Sequence, residues 1–148
     1  MIGQHTKLFA FLNSHGVEYL LIGGSLAIAY GVPRVTKDID LFINPTLDNA
    51  TKCLVALKDM GMGTASLTTP EEICKTEVTI FKDFLRVDLL TQVKGLTFED
   101  SWRKKVVLTL DDLTIFALTL EDLIRSKKAA GRPGDMEDVK ILEMARKR

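Results

Sequence analysis

The period of the apolar positions changes several times along the chain, and each change marks an element. Leu8, Phe9, Phe11 and Leu12 make a helical stripe between Thr6 and Ser14, and Gly16 is a natural stop. Tyr19-Leu20-Leu21-Ile22 is wholly apolar and reads as a buried strand, broken by Gly23-Gly24. Ser25 to Tyr30 reads as a short helix ended by Gly31 and Pro33. Asp38 to Ile43 is a second strand, stopped by Asn44-Pro45. From Thr46 to Met60, the positions Leu47, Ala50, Leu54 and Leu57 repeat at helical spacing, and Gly61 ends the pattern. The Gly-, Thr- and Ser-rich stretch from Gly61 to Pro70 reads as a loop with room for one edge strand.

Two strands are then expected, Glu77 to Lys82 and Phe84 to Leu90, as a tight hairpin with Asp83 at the break. Val106 to Leu108 and Leu113 to Leu118 form a second pair around Asp111-Asp112. Thr119 followed by Asp122 is a capping pattern that opens a helix, and Gly131 closes it. Asp135 and Asp138 repeat that logic before a last helix ending in Arg146-Lys147-Arg148. The order predicts an α/β (α+β) sandwich: a mixed sheet flanked by helices, with two C-terminal helices. No repeat, linker or low-complexity segment divides residues 1–148, and that length favours one domain.

Charge removes one class of function from the foreground. Twenty basic and twenty acidic residues cancel, so no global positive field advertises nucleic-acid binding. Cys53 and Cys74 stand at no zinc spacing with His5 or His15 and read as reduced thiols. The start carries no basic segment followed by an apolar run, so no signal peptide is expected. No stretch approaches the ~18 apolar residues of a membrane span. The expected setting is the cytoplasm, away from membranes.

The chemistry concentrates on Asp38-Ile39-Asp40. Residues i and i+2 of a strand share a face, so two carboxylates project side by side from an otherwise apolar strand. Burying them unpaired is costly, and a divalent cation with hard oxygen preference, Mg²⁺ or Mn²⁺, resolves the conflict. For an isolated pair the commoner explanation is a turn cap plus a salt bridge. Two further features bear on that choice. The Gly23-Gly24-Ser25 turn joins an apolar strand to a helix, where backbone can approach a phosphate closely. Asp88 is again a lone acid in an apolar strand, and Arg86 shares its face. A surface pair of Arg86 with Asp88 on an edge strand is the alternative for that third acid.

With these residues the sequence resembles the DNA polymerase β-like nucleotidyltransferase superfamily. The string is Gly23-Gly24-Ser25, then Gly31-x-x-Arg34-x-Thr36-Lys37-Asp38-Ile39-Asp40, with Asp88 on a later strand. More narrowly it is similar to the small bacterial and archaeal branch related to AbiEii-type toxins. Asp122-Leu123-Ile124-x-x-Lys127, followed by Ala130-Gly131-Arg132-Pro133-x-Asp135-x-x-Asp138, matches the tail of that branch. The likeness covers roughly residues 17 to 142.

The resemblance implies a metal-dependent transfer of a nucleoside monophosphate from a nucleoside triphosphate such as ATP to a hydroxyl acceptor. It implies that Asp38, Asp40 and Asp88 ligate the catalytic metal, Asp88 also helping to activate the acceptor. Gly23, Gly24 and Ser25 would hold phosphates, with Arg34 and Thr36 in support and Lys127 offsetting triphosphate charge. Arg132, Asp135 and Asp138 would lie near the nucleotide. Each has an ordinary alternative: Arg34 a loop cation, Thr36 a turn residue, Lys127 a solvated lysine, Asp135 an N-cap. The acceptor could be a protein, an RNA or a small molecule. Two other readings drop the chemistry: a nucleotide-binding regulatory module that keeps the fold, or a plain interaction protein, for instance a toxin–antitoxin component acting through a protein partner encoded alongside. In that last setting the terminal Arg146-Lys147-Arg148 could touch RNA, although such a run is usually solvated.

Overall fold

The computed structural model describes residues 2–147. Six strands form one mixed sheet: β1 (Tyr19–Ile22), β2 (Asp38–Ile43), β3 (Val78–Lys82), β4 (Arg86–Leu90), β5 (Val106–Leu110) and β6 (Leu113–Ala117). Their order across the sheet is β3-β4-β2-β1-β6-β5. β2 runs parallel to β4 and β1 parallel to β6, while β1–β2 and the two hairpins are antiparallel.

Alternation along β2 sorts the two faces of the sheet. Ile39, Leu41 and Ile43 are buried on one face, whereas Asp38 and Asp40 stand half-buried on the other with Phe42. The register carries this sorting across: Ile39 and Leu41 lie beside Val87 and Leu89, and Asp40 lies beside Asp88. Phe42 on the aspartate face packs edge-on against Phe98, which stacks on Trp102, which meets Phe116 of β6. Apolar packing therefore fills one end of that face and leaves the carboxylates at the other.

The helices are α1 (Ile2–Ser14), α2 (Gly23–Ala29), α3 (Leu47–Asp59), α4 (Pro70–Lys75), α5 (Phe98–Lys104), α6 (Leu120–Ala130) and α7 (Pro133–Arg146). Among the described residues, none is long and apolar enough to cross a membrane. α1 begins four residues before the stripe anchored at Thr6, and α2 begins at Gly23 rather than Ser25.

Two segments depart from expectation. The stretch read as a loop or edge strand holds a 3₁₀ turn, Gly63–Leu67, followed by α4. Thr69 caps that helix by accepting from Glu72 N–H, Pro70 opens it, and Cys74 lies within it. α5 was not anticipated at all. Thr97 caps it, acids Glu99 and Asp100 occupy its first turn and Arg103 and Lys104 its last, a charge order that suits the helix dipole. At seven residues it is too short to show a period.

The remaining signals act locally. Asp111 and Asp112 take positive φ of 50° and 64°, the two-residue turn that matches hairpin twist. Thr119 accepts from Asp122 N–H at 3.0 Å and opens α6, and Gly131 closes it at φ 67°. In α7 the cap position belongs to Arg132, not Asp135. Asp135 sits one turn in and accepts from Arg132 N–H at 3.3 Å, the back-reaching half of a capping box. Arg146 is tied to Glu121 and Glu143; Arg148, the end of the basic run, lies outside the described residues.

Candidate active site on the carboxylate face

Parallel pairing of β2 with β4 sets Asp40 directly beside Asp88, and Asp38 beside Arg86. Three carboxylates thus share one patch, and β4 is an interior strand, not the edge supposed by the surface-pair alternative. Arg86 holds Asp88 with two prongs, Nε to Oδ1 at 3.1 Å and Nη2 to Oδ2 at 3.2 Å. The same Nε stands 3.7 Å from Asp38 Oδ2.

One guanidinium does not neutralise three acids. Asp40 carries the excess: burial, then the charges of Asp88 and Asp38, then a hydrogen bond with Asp88 push its pKa up to about 6. Hard oxygen donors with uncompensated negative charge suit a divalent cation such as Mg²⁺. In their present rotamers the acids do not close on one. Among the described residues, no three His, Cys, Asp or Glu side chains stand as a ready metal-holding group.

Gly23 follows directly on β1, whose last residue, Ile22, pairs with Asp40. It adopts φ 73°, and a Cβ there would collide with the Asp40 carboxylate. Glycine is thus required at this position twice over. Gly24 differs: a Cβ there would meet Thr36 at ordinary contact distance. Among the described residues, no side chain caps the start of α2, so no capping residue claims its first N–H groups. Ser25 Oγ donates to the Asp38 carbonyl at 3.0 Å, and Thr36 Oγ1 accepts from Asp38 N–H at 3.3 Å. Both hold the Asp38 backbone.

The tail residues form a second cluster. Lys127, its side chain only 9% exposed, reaches Asp138 at 2.9 Å and Asp135 at 3.6 Å. Arg34 binds the other oxygen of Asp138 at 2.8 Å, and Arg132 binds Asp135 at 2.7 Å. Burial alone would raise Asp135, but Arg132 and Lys127 outweigh it and hold the carboxyl below its ordinary range. The Lys127 ammonium is engaged by these two acids rather than solvated. Arg132 is the cluster's link to the first: its guanidinium, held by Asp135, also feels the charge of Asp40.

A cleft of about 400 Å³ joins the two clusters. Gly23, Asp40, Lys127, Arg132 and Asp135 line one part of it, and Val78, Leu90, Val93 and Leu123 supply an apolar wall. Glu77, Gln92, Lys94 and Ser126 also line it and were missed by the sequence reading. Three of them lie on connections flanking β3 and β4, where no period marks which side chain turns inward.

The model of a family described as "nucleotidyl transferase of unknown function (DUF2204)" matches residues 3–148. The chain belongs to this family. No curated protein matches it in sequence. Among solved structures, it is similar to the crystal structure of a "putative nucleotidyltransferase" from Thermotoga maritima, at a TM-score of 0.56 and 17% identity. That likeness spans 99% of this chain and 93% of the other and shows that the fold is that of a nucleotidyltransferase. Within this family the carboxylate face and the tail cluster are the features for which a function must account.

Proposed function

We propose that this nucleotidyltransferase family member moves a nucleoside monophosphate from a nucleoside triphosphate to a hydroxyl acceptor, with a divalent cation at Asp38, Asp40 and Asp88. The observation that carries the reading is the acidic patch on β2 and β4, which opens beside Gly23 and keeps more negative charge than Arg86 cancels. A bound cation would supply the electrostatic stabilisation of charge that develops on the phosphate oxygens. As the acceptor hydroxyl gives up its proton to water, its oxygen bonds to the α-phosphorus, the bond from that phosphorus to the bridging oxygen breaks, and pyrophosphate leaves.

The chain's own residues divide the remaining work. Backbone N–H groups at Gly23, Gly24 and Ser25 receive the terminal phosphates, with Gly23 admitting them close to Asp40. Asp88 orients the attacking hydroxyl. Lys94, on the cleft wall, and the exposed guanidinium of Arg132, although held by Asp135, balance triphosphate charge more directly than Lys127, which is buried between Asp135 and Asp138. Arg34 and Lys127 act through Asp138 by fixing the start of α7.

Heat denaturation with Mg²⁺ and each nucleoside triphosphate tests this. The expected result is a rise in Tm with the two together that exceeds either alone. Absence of a shift with every nucleotide would overturn the reading. A shift without transfer of labelled nucleotide to any acceptor would favour a nucleotide-binding module instead.

A further inference from the structure

Arg86 stands where its charge matters most to a cation. Its position two residues before Asp88 on one strand keeps both side chains on the same face, and cross-strand pairing adds Asp38. Both oxygens of Asp88 are taken, at 3.1 and 3.2 Å, and Asp38 Oδ2 lies 3.7 Å away. A guanidinium on both oxygens of Asp88 takes a lone pair of each and sets a positive charge where a divalent cation would bind, so the two compete for the carboxylate. Arg86 has a way out, since its side chain is 35% exposed.

We propose that Arg86 is an internal counter-cation that holds Asp88 and Asp38 in the metal-free chain and competes with the divalent cation for them. Cation binding then loosens the grip of Arg86 on the carboxylates. The inference rests on the reading of Asp38, Asp40 and Asp88 as a cation site. Grip and cation binding are linked, so weakening the Arg86 grip tightens cation binding by at most the same factor. Without the guanidinium the site gains a full negative charge within contact distance of the bound ion. Lysine keeps the charge but not the two-pronged grip, and should fall between.

The test is a titration of the metal-free full chain with Mn²⁺, read by calorimetry, for the wild type, Arg86→Gln and Arg86→Lys. Arg86→Gln should bind about tenfold tighter or more, the factor expected when a contact-range charge is removed from a partly exposed site. Arg86→Lys should bind more tightly than the wild type by a smaller factor, and it carries the comparison alone if Arg86→Gln does not fold. The metal-free Arg86→Gln protein should also melt lower than the wild type and gain more from Mn²⁺. Equal or weaker Mn²⁺ binding by both variants, with the wild type binding, would overturn the competition and leave the nucleotidyltransferase reading standing. No Mn²⁺ binding by any of the three would overturn both.

Discussion

Asp40→Asn should make the metal-free protein more stable at neutral pH while abolishing transfer. The carboxyl is displaced from its ordinary 3.8 to about 6 by burial and by Asp88 and Asp38. That displacement corresponds to about 3 kcal/mol at full value, and partial solvent screening of the half-buried group reduces it to about 1–2 kcal/mol. The sign follows from proton counts. Between pH 3.8 and about 6 the folded chain keeps a proton that the unfolded chain releases, so stability falls as pH rises through that window. Above it the cost is constant. Asparagine cannot ionise, and its amide can still donate to Asp88 as the protonated acid does. Urea or thermal melts in chelator should show Tm about 3–6 °C above wild type at pH 7.5 for a chain of this size. The gap should narrow toward pH 4.5. A variant no more stable than wild type at pH 7.5, or a gap indifferent to pH, would refute the account of uncompensated charge.

Other perturbations separate structural from chemical roles. Gly23→Ala forces a side chain into left-handed backbone, costing about 1–3 kcal/mol before any clash with Asp40, whereas Gly24→Ala should stay within about 1 kcal/mol of wild type; equilibrium unfolding compares them. Lys127→Met leaves Asp138 and Asp135 held by Arg34 and Arg132 alone and should cost about 1.5–3 kcal/mol. Adding Asp138→Asn to that variant should recover part of the loss, which a double-mutant cycle measures. Burial pushes the Cys53 thiol up to about 12, while Cys74 is partly exposed. A thiol reagent at pH 8 should therefore modify one cysteine in the folded protein and two only after unfolding.

How much was legible in the sequence depended on whether a residue's role is local. β1 and β2 announce themselves as apolar runs between glycine and proline stops, and α6 by Thr119 and Gly131. The i, i+2 spacing of Asp38 and Asp40 fixes their common face without tertiary information. Asp88 could be matched to them by type, but only the strand order makes it the neighbour of Asp40. α4 and α5, at six and seven residues, are too short for a period, and their caps Thr69 and Thr97 were the available signal. The fates of Lys127 and Arg86 were least legible. Each cation's partners depend on side-chain reach across elements: Lys127 goes to acids of α7, and Arg86 to the very carboxylates that a cation would need.

A single incubation decides whether the carboxylate face carries transfer chemistry. The protein is mixed with Mg²⁺ and each nucleoside triphosphate labelled at the α-phosphate, in a cell lysate that offers protein, RNA and small-molecule hydroxyls. The expected result is label covalently joined to one class of acceptor with pyrophosphate released, and loss of both with Asp38→Ala although that variant remains folded. Label transfer that survives Asp38→Ala, or no transfer from any nucleotide, would contradict it.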